Sequence, residues 1–125
     1  MKLNHDCVRS LLLEFEEKLG LNDTIYLEQI KSFETFQNYG EDQTLYCILK
    51  LLEAELLIGS KQYADDKVIF IGISSISFSG HEFLDNIRDD GIWKSTKEKV
   101  SKLASVSLPT LSQVAAAFIK SKIGL

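Results

Sequence analysis

Several groups of side chains in this sequence are of types that do chemistry, and their spacing decides what chemistry is open to them. His5, Asp6 and Cys7 stand together near the start, with Cys47 and His81 farther along. These are metal-ligating residue types, but the paired CxxC or HxxxH ligands of a zinc module are absent. His5 and Asp6 suit the first turn of a helix, where polar groups belong, and Cys7 abuts an apolar stripe. No metal and no other cofactor is expected. Ser79, His81, Glu82 and Asp85 also lie close in sequence. A nucleophile needs an aligned base and an oxyanion donor, and nothing in the spacing supplies them. Ser79 and Gly80 read better as a helix start, with one of them at the cap and Glu82 near the favourable end of the dipole. No glycine-rich phosphate loop is present. The chain reads as a non-enzyme.

Two further groups suggest binding. Gln43, Tyr46, Lys50 and Glu53 share one face of a helical stretch, and Lys61 and Lys67 follow on a hairpin wing. Together they are the candidate interaction surface. Gln43, Tyr46 and Lys50 are types that touch base edges, and Lys61 and Lys67 are placed to reach a phosphate backbone. Against this, residues 41–56 hold one cation, Lys50, and four acids, Glu41, Asp42, Glu53 and Glu55. Affinity for DNA comes largely from neutralising phosphates, which such a helix repels. A protein partner is therefore expected ahead of nucleic acid, with a DNA-binding transcriptional regulator as the alternative. A solvated helix face is the plainest reading. Lys94, Lys97, Lys99, Lys102, Lys120 and Lys122 form a candidate basic patch for phosphate, an acidic partner or a second copy. Surface lysines with no partner are the commonest case.

Elements must hold these groups in place. After Asn4, a good cap, Val8, Leu11, Leu12, Phe15 and Leu19 recur at helical spacing over residues 5–19. Glu14, Glu16, Glu17 and Lys18 fall outside that stripe, and Gly20 offers a left-handed stop. Residues 21–40 stay open: residues 24–27 suit a short strand, while Phe33, Phe36 and Tyr39 fit a helical turn or a packed loop. Glu41 and Asp42 begin a second helix, with acid at the positive end of its dipole. Its expected buried stripe is Leu45, Ile48, Leu49, Leu52 and Leu56; Gln43, Tyr46, Cys47, Lys50 and Glu53 lie opposite. Residues 57–63 and 68–78 read as two strands around a four-residue polar turn, with a bulge or bend at Gly72.

Three helical pieces follow. Residues 81–88 form a short helix, and residues 89–91 a turn. A stripe of Trp93, Thr96, Val100 and Leu103 comes next, with Glu98 placed to pair with Lys102. Ser107 caps a final helix with Pro109 in its first turn, lined by Leu111, Val114, Ala115, Phe118 and Ile119.

The expected fold is α+β. Residues 1–90 make a winged-helix-like core of helices plus a two-stranded hairpin wing. Residues 91–125 make a C-terminal helical extension, packed on the core or at a homodimer interface.

The chain of 125 residues is of single-domain length, and 45% apolar and 26% charged residues exclude a disordered or fibrous chain. Its net charge of −4 hides a split. Residues 1–93 carry 8 Lys/Arg against 17 Asp/Glu, and residues 94–125 carry 6 against 1. Two cysteines make no disulfide scaffold, so free thiols in a reducing cytosol are expected. No apolar run is long enough for a signal peptide core or a membrane span. A cytoplasmic location and no membrane partner are expected.

Two strings are distinctive. The opening run over residues 1–9, MKLNHDCVR, and residues 80–88, GHEFLDNIR, resemble a family of uncharacterised proteins from Gram-positive bacteria and their phages. That family is catalogued as a domain of unknown function. Leu45-Tyr46, residues 51–54, Trp93-Lys94 and the last helix extend the resemblance over most of the chain, residues 21–40 least. It implies a winged-helix-like fold and no particular activity. One departure stands out. Winged-helix proteins commonly end the second long helix with Glu-Ala-Gly, and here Glu55 occupies the glycine's place. Either the helix runs on, or the turn differs, because a left-handed non-glycine residue costs roughly 1–2 kcal/mol.

Overall fold

The computed structural model describes residues 1–125 as six helices and one three-stranded antiparallel sheet. The chain is thus mixed α+β. It divides into two compact units, residues 1–81 and residues 82–125.

In the first unit, α1 (His5–Lys18) starts as its cap requires, with the Asn4 side chain accepting from the Cys7 N–H at 3.0 Å. Its stripe buries Val8, Leu11, Leu12 and Phe15 completely. The helix end differs from expectation. Leu19 is extended, the Gly20 N–H donates to the Asp23 carboxylate at 3.0 Å, and the left-handed residue is Asn22 (φ 66°). A β-turn over residues 20–23, closed by the Asp23 N–H on the Gly20 carbonyl at 3.2 Å, follows the helix here in place of a glycine cap.

The open segment resolves into β1 (Ile25–Tyr26), a single turn α2 (Leu27–Ile30), and the start of α3 (Glu34–Glu53). Phe33 is fully packed, edge-on to Phe15 with centroids 5.1 Å apart. Gly40 interrupts α3 with φ 82° and ψ 169°. That conformation is essentially confined to glycine, so α3 is two helical limbs, with the second beginning at Glu41.

The second limb buries Thr44, Cys47, Ile48 and Leu51. The expected stripe is therefore rotated by one position: Leu45, Leu49, Leu52 and Leu56 are only half-buried, and Cys47 belongs to the core. Leucines flank the true stripe on its far side, and two small polar residues within it pass for surface.

The helix stops at Ala54. The Glu55 N–H reaches the Leu52 carbonyl (3.1 Å) and the Leu56 N–H the Leu51 carbonyl (2.9 Å), with Glu55 left-handed at φ 59°. This is the turn a glycine usually makes, adopted here by glutamate.

Strands β2 (Leu57–Ala64) and β3 (Lys67–Ile76) form the hairpin, and β1 pairs on the other edge of β3, giving the order β1-β3-β2. The loop is tighter than expected: Asp65 and Asp66 alone turn the chain, both at positive φ, as a two-residue hairpin demands. Two register shifts, between Ile58 and Gly59 and between Gln62 and Tyr63, leave Ser74 and Ile69 of β3 unopposed, so the bulges are not at Gly72. Gly72 instead sits beside Gly59, where an added Cβ would lie 2.2 Å from the Gly72 carbonyl oxygen.

Helix α4 (Phe78–Ile87) begins earlier than expected. Ser77, not Ser79 or Gly80, holds its start, accepting from the Gly80 N–H at 2.9 Å and donating to the Glu55 carbonyl at 2.6 Å. Gly80 is buried against the Leu56 carbonyl, 2.2 Å from where a Cβ would stand.

In the second unit, residues 89–91 are the start of a helix rather than a free turn: Asp89 caps α5 (Asp90–Val100) by accepting from the Ile92 N–H at 2.9 Å. Ile92, Trp93 and Thr96 are its buried face. The helix ends at Val100, so Leu103 is exposed and Lys102 lies beyond the helical turn that would bring it to Glu98. Helix α6 (Leu108–Lys122) follows expectation, with Ser107 as cap, Pro109 in the first turn, and Leu111 and Ala115 buried. Asn86 of α4 donates to the Ser112 hydroxyl of α6 at 2.8 Å.

Candidate functional site

The second limb of α3 and the β2–β3 hairpin bring most of the expected interaction residues onto one face. Tyr46 is half-buried, with the Lys50 ammonium 5.5 Å from its ring centroid. One turn on, Lys50 pairs with Glu53 at 2.9 Å. The hydrogen bond that Lys50 donates to Glu53, with the charge of that carboxylate, raises the Lys50 pKa, and the same contact lowers that of Glu53. Lys61 on β2 lies 6.0 Å from the Tyr63 ring and adds to the lowering at Glu53. Gln43 is turned away. Its amide donates to the Cys47 sulfur (3.4 Å) and the Lys2 carbonyl (3.5 Å), tying the helix to the chain before α1.

Two grooves mark this face. One, of about 730 Å³, lies between the end of α3, the start of β2 and Phe78; Glu53 and Lys61 line it. Phe78 is 80% exposed there and Ile58 51%. The other, of about 470 Å³, lies between the second limb of α3 and the hairpin turn; Tyr46 and Lys67 line it. Tyr46 and Lys67 thus line one groove and Glu53 and Lys61 the other, with Lys50 joined to Tyr46 and Glu53 along the helix.

The lysines of the expected basic patch are spread over two helices. Lys94, Lys97 and Lys99 stand on α5, Lys102 just past it, and Lys120 and Lys122 in the last turn of α6, all exposed. Lys97 lies 5.7 Å from the Trp93 ring centroid. Cations in a last turn complement the negative end of a helix, which accounts locally for Lys97, Lys99, Lys120 and Lys122.

The metal-ligating types do not converge: no group of three or more His, Cys, Asp and Glu side chains is arranged to hold an ion. Cys7 and Cys47 are fully buried free thiols. Their mutual hydrogen bond, together with burial, pushes the Cys7 thiol up, while the same bond lowers that of Cys47. Burial lowers the His5 pKa, with Asp6 opposing. His81 faces Glu16 of α1 at 3.8 Å rather than Ser79.

The residue that sequence reasoning missed is Glu14. Assigned to the outer face of α1, it is 9% exposed. Its carboxylate accepts from the Glu34 N–H (3.0 Å), the Thr35 N–H (2.9 Å), the Thr35 hydroxyl (2.7 Å) and Lys18 (2.8 Å). Phe33, the N-cap residue of α3, has no side-chain acceptor, so α1 caps α3 from outside. Burial opposes the charge on Glu14, but these bonds outweigh it and lower the pKa. The legible signal is its position seven residues after Cys7 and three after Leu11, on the flank of the buried stripe.

No helix is long and apolar enough to cross a membrane. No solved structure matches the chain. An uncharacterized protein of Haemophilus influenzae is 30% identical over 120 residues, spanning 95% of this chain and 96% of its own. The family model described as hypothetical protein (DUF2513) matches residues 2–107, from the segment before α1 to the cap of α6. With most of its length inside that match, the chain belongs to the DUF2513 family of hypothetical proteins.

Proposed function

We propose that this chain is a non-enzymatic accessory protein of a bacterium or phage that acts by binding another protein. The binding face is the second limb of α3 with the β2–β3 hairpin. The observation that carries this reading is the state of Lys50. It is the one cation of the second limb and is engaged by Glu53 at 2.9 Å, while Glu41 and Asp42 at the start of the limb and Glu53 and Glu55 at its end stand exposed. Exposed Ile58, Tyr63, Ile69 and Phe78 supply the apolar contact area a protein partner uses.

The element order supports a winged-helix-like core within this reading: helix, strand, two helices, then a hairpin, with the first strand on the far edge of the sheet. Such a core also binds DNA in other proteins, and exposed Lys61 and Lys67 favour that second reading. Fold analogy alone does not assign it.

A salt-titrated gel shift on mixed-sequence duplex DNA tests the choice. No shift is expected, even at low salt. A shift that weakens steeply with salt and disappears in Lys50→Glu, Lys61→Glu, Lys67→Glu protein would overturn the protein-binding reading.

A further inference from the structure

Cys7 lies in the first turn of α1 and Cys47 in the second limb of α3, and both side chains are fully buried. Asn4 touches both. Its side chain accepts from the Cys7 N–H at 3.0 Å, and its carbonyl accepts from the Cys47 thiol at 3.8 Å. The Gln43 amide donates to the Cys47 sulfur at 3.4 Å, and the Cys7 thiol is hydrogen-bonded to it as well. Two sulfurs from different helices therefore meet in the interior, and neither belongs to a metal cluster or a disulfide.

The pair is asymmetric. The hydrogen bond from Cys7, helped by Gln43, holds the Cys47 thiol below its ordinary range against the effect of burial. The same bond, with burial, keeps Cys7 protonated. A thiol of lowered pKa beside a second thiol is the arrangement of a redox-sensing pair. The cover over Cys47 is also open to solvent on its outer side. Lys2 and Asn4 lie against Gln43 and the sulfur through their carbonyls, while Lys2 is exposed and Leu3 and Asn4 are half-buried. Local opening of such a segment costs far less than unfolding, and hydrogen peroxide is little larger than water.

We propose that Cys7 and Cys47 are a dithiol couple that hydrogen peroxide oxidises to a disulfide within one chain. The Cys47 thiolate attacks the peroxide. An S–O bond forms, the O–O bond breaks, and the departing hydroxide takes up the proton that Cys47 released, leaving as water. The Cys7 sulfur then attacks the Cys47 sulfur. The S–S bond forms, the S–O bond breaks, and hydroxide leaves with the Cys7 proton as a second water. Two thiols are oxidised and one peroxide is reduced. The new bond closes the loop from residue 7 to residue 47 and fastens α1 to the limb that displays Tyr46 and Lys50. The couple is independent of what that limb binds.

Peptide mapping of the full native chain tests it. The protein is treated with hydrogen peroxide, quenched with catalase, alkylated in denaturant and digested without reduction. A peptide joining Cys7 to Cys47 is expected from monomeric protein, and dithiothreitol should return both thiols. Closing that loop restricts the unfolded chain, so the oxidised protein should unfold at a higher urea midpoint than the reduced protein. Two free thiols after peroxide would overturn the proposal, as would sulfinic or sulfonic acids in place of the link. A link between chains, or one that forms only in protein already unfolded by urea, counts against it equally. So does a lowered urea midpoint, which would mean that the helices must distort to make the bond.

Discussion

Replacing Glu14 with alanine removes the acceptor for three donors at the start of α3 and the partner of Lys18. Thr35 is fully buried, so its N–H and hydroxyl are left in the interior without water. Loss of a helix cap costs about 0.5–2 kcal/mol, and a stranded buried polar group about 1–3 kcal/mol. Thr35 retains one partner, because its hydroxyl also meets Ser10 at 2.6 Å. These terms overlap, and destabilisation of roughly 2–4 kcal/mol is expected for Glu14→Ala. Glu14→Gln keeps one acceptor oxygen but loses the charge and turns an amide N–H toward donors, so roughly 1–2 kcal/mol is expected.

The pH dependence follows from the same bonds. The Glu14 pKa is lowered below its ordinary 4.5 in the folded chain, so the unfolded chain takes up the proton first as pH falls. Its contribution is present in full well above pH 4.5 and drains away as pH drops through the lower, folded value. Urea unfolding at neutral and acid pH, compared for wild type, Glu14→Gln and Glu14→Ala, measures both effects. The stability gap between wild type and Glu14→Gln should narrow in acid. A loss below about 0.5 kcal/mol for Glu14→Ala, or a gap that stays constant with pH, would refute the capping role.

Other expectations concern the backbone and the thiols. Glu55→Gly should stabilise by about 0.5–1 kcal/mol, since relief of the left-handed strain exceeds the glycine's entropy cost; unchanged or lower stability in denaturant titration would contradict it. Gly59→Ala should destabilise by about 1–3 kcal/mol, because its methyl would meet the backbone of β3. Gly72→Ala, whose methyl meets the Phe70 ring at 3.1 Å, should cost less, and the reverse order in paired unfolding curves would count against the strand geometry. Neither Cys7 nor Cys47, both fully buried, should react with iodoacetamide until denaturant opens the fold. Rapid labelling of the native chain, read by mass spectrometry, would contradict that packing.

How far the sequence can be read depends on whether an element is settled by its own neighbours. The start of α1 is legible because Asn4, its acceptor role and the apolar spacing after it all lie within one turn. The same holds for Ser107 and Pro109 at α6. The buried face of α3 is not, because Leu45, Leu49 and Leu52 flank it closely and only packing against α1 and β2 selects Thr44 and Cys47 for the interior. Glu14 is harder still. Its donors are 20 and 21 residues away, in a stretch whose spacing fits strand, helix or loop alike. The face holding Tyr46, Lys50 and Glu53 was legible from helical spacing alone. Gln43 departed from it because Cys47, one turn on, is buried and attracts its amide.

The break at Gly40 has a consequence for anyone redesigning this surface. It creates a second helical start in mid-chain, with its own exposed N–H groups and its own positive pole. Glu41 and Asp42 therefore hold their helix in place as well as giving this surface its acidity. Exchanging them for lysine would remove a favourable interaction of about 0.3–1 kcal/mol each and install an unfavourable one. The acidic character of the face is thus coupled to the integrity of the element that displays it. A graft meant to change its ligand preference has more freedom at Tyr46 and along the hairpin than at Lys50, whose charge complements the end of the same helix.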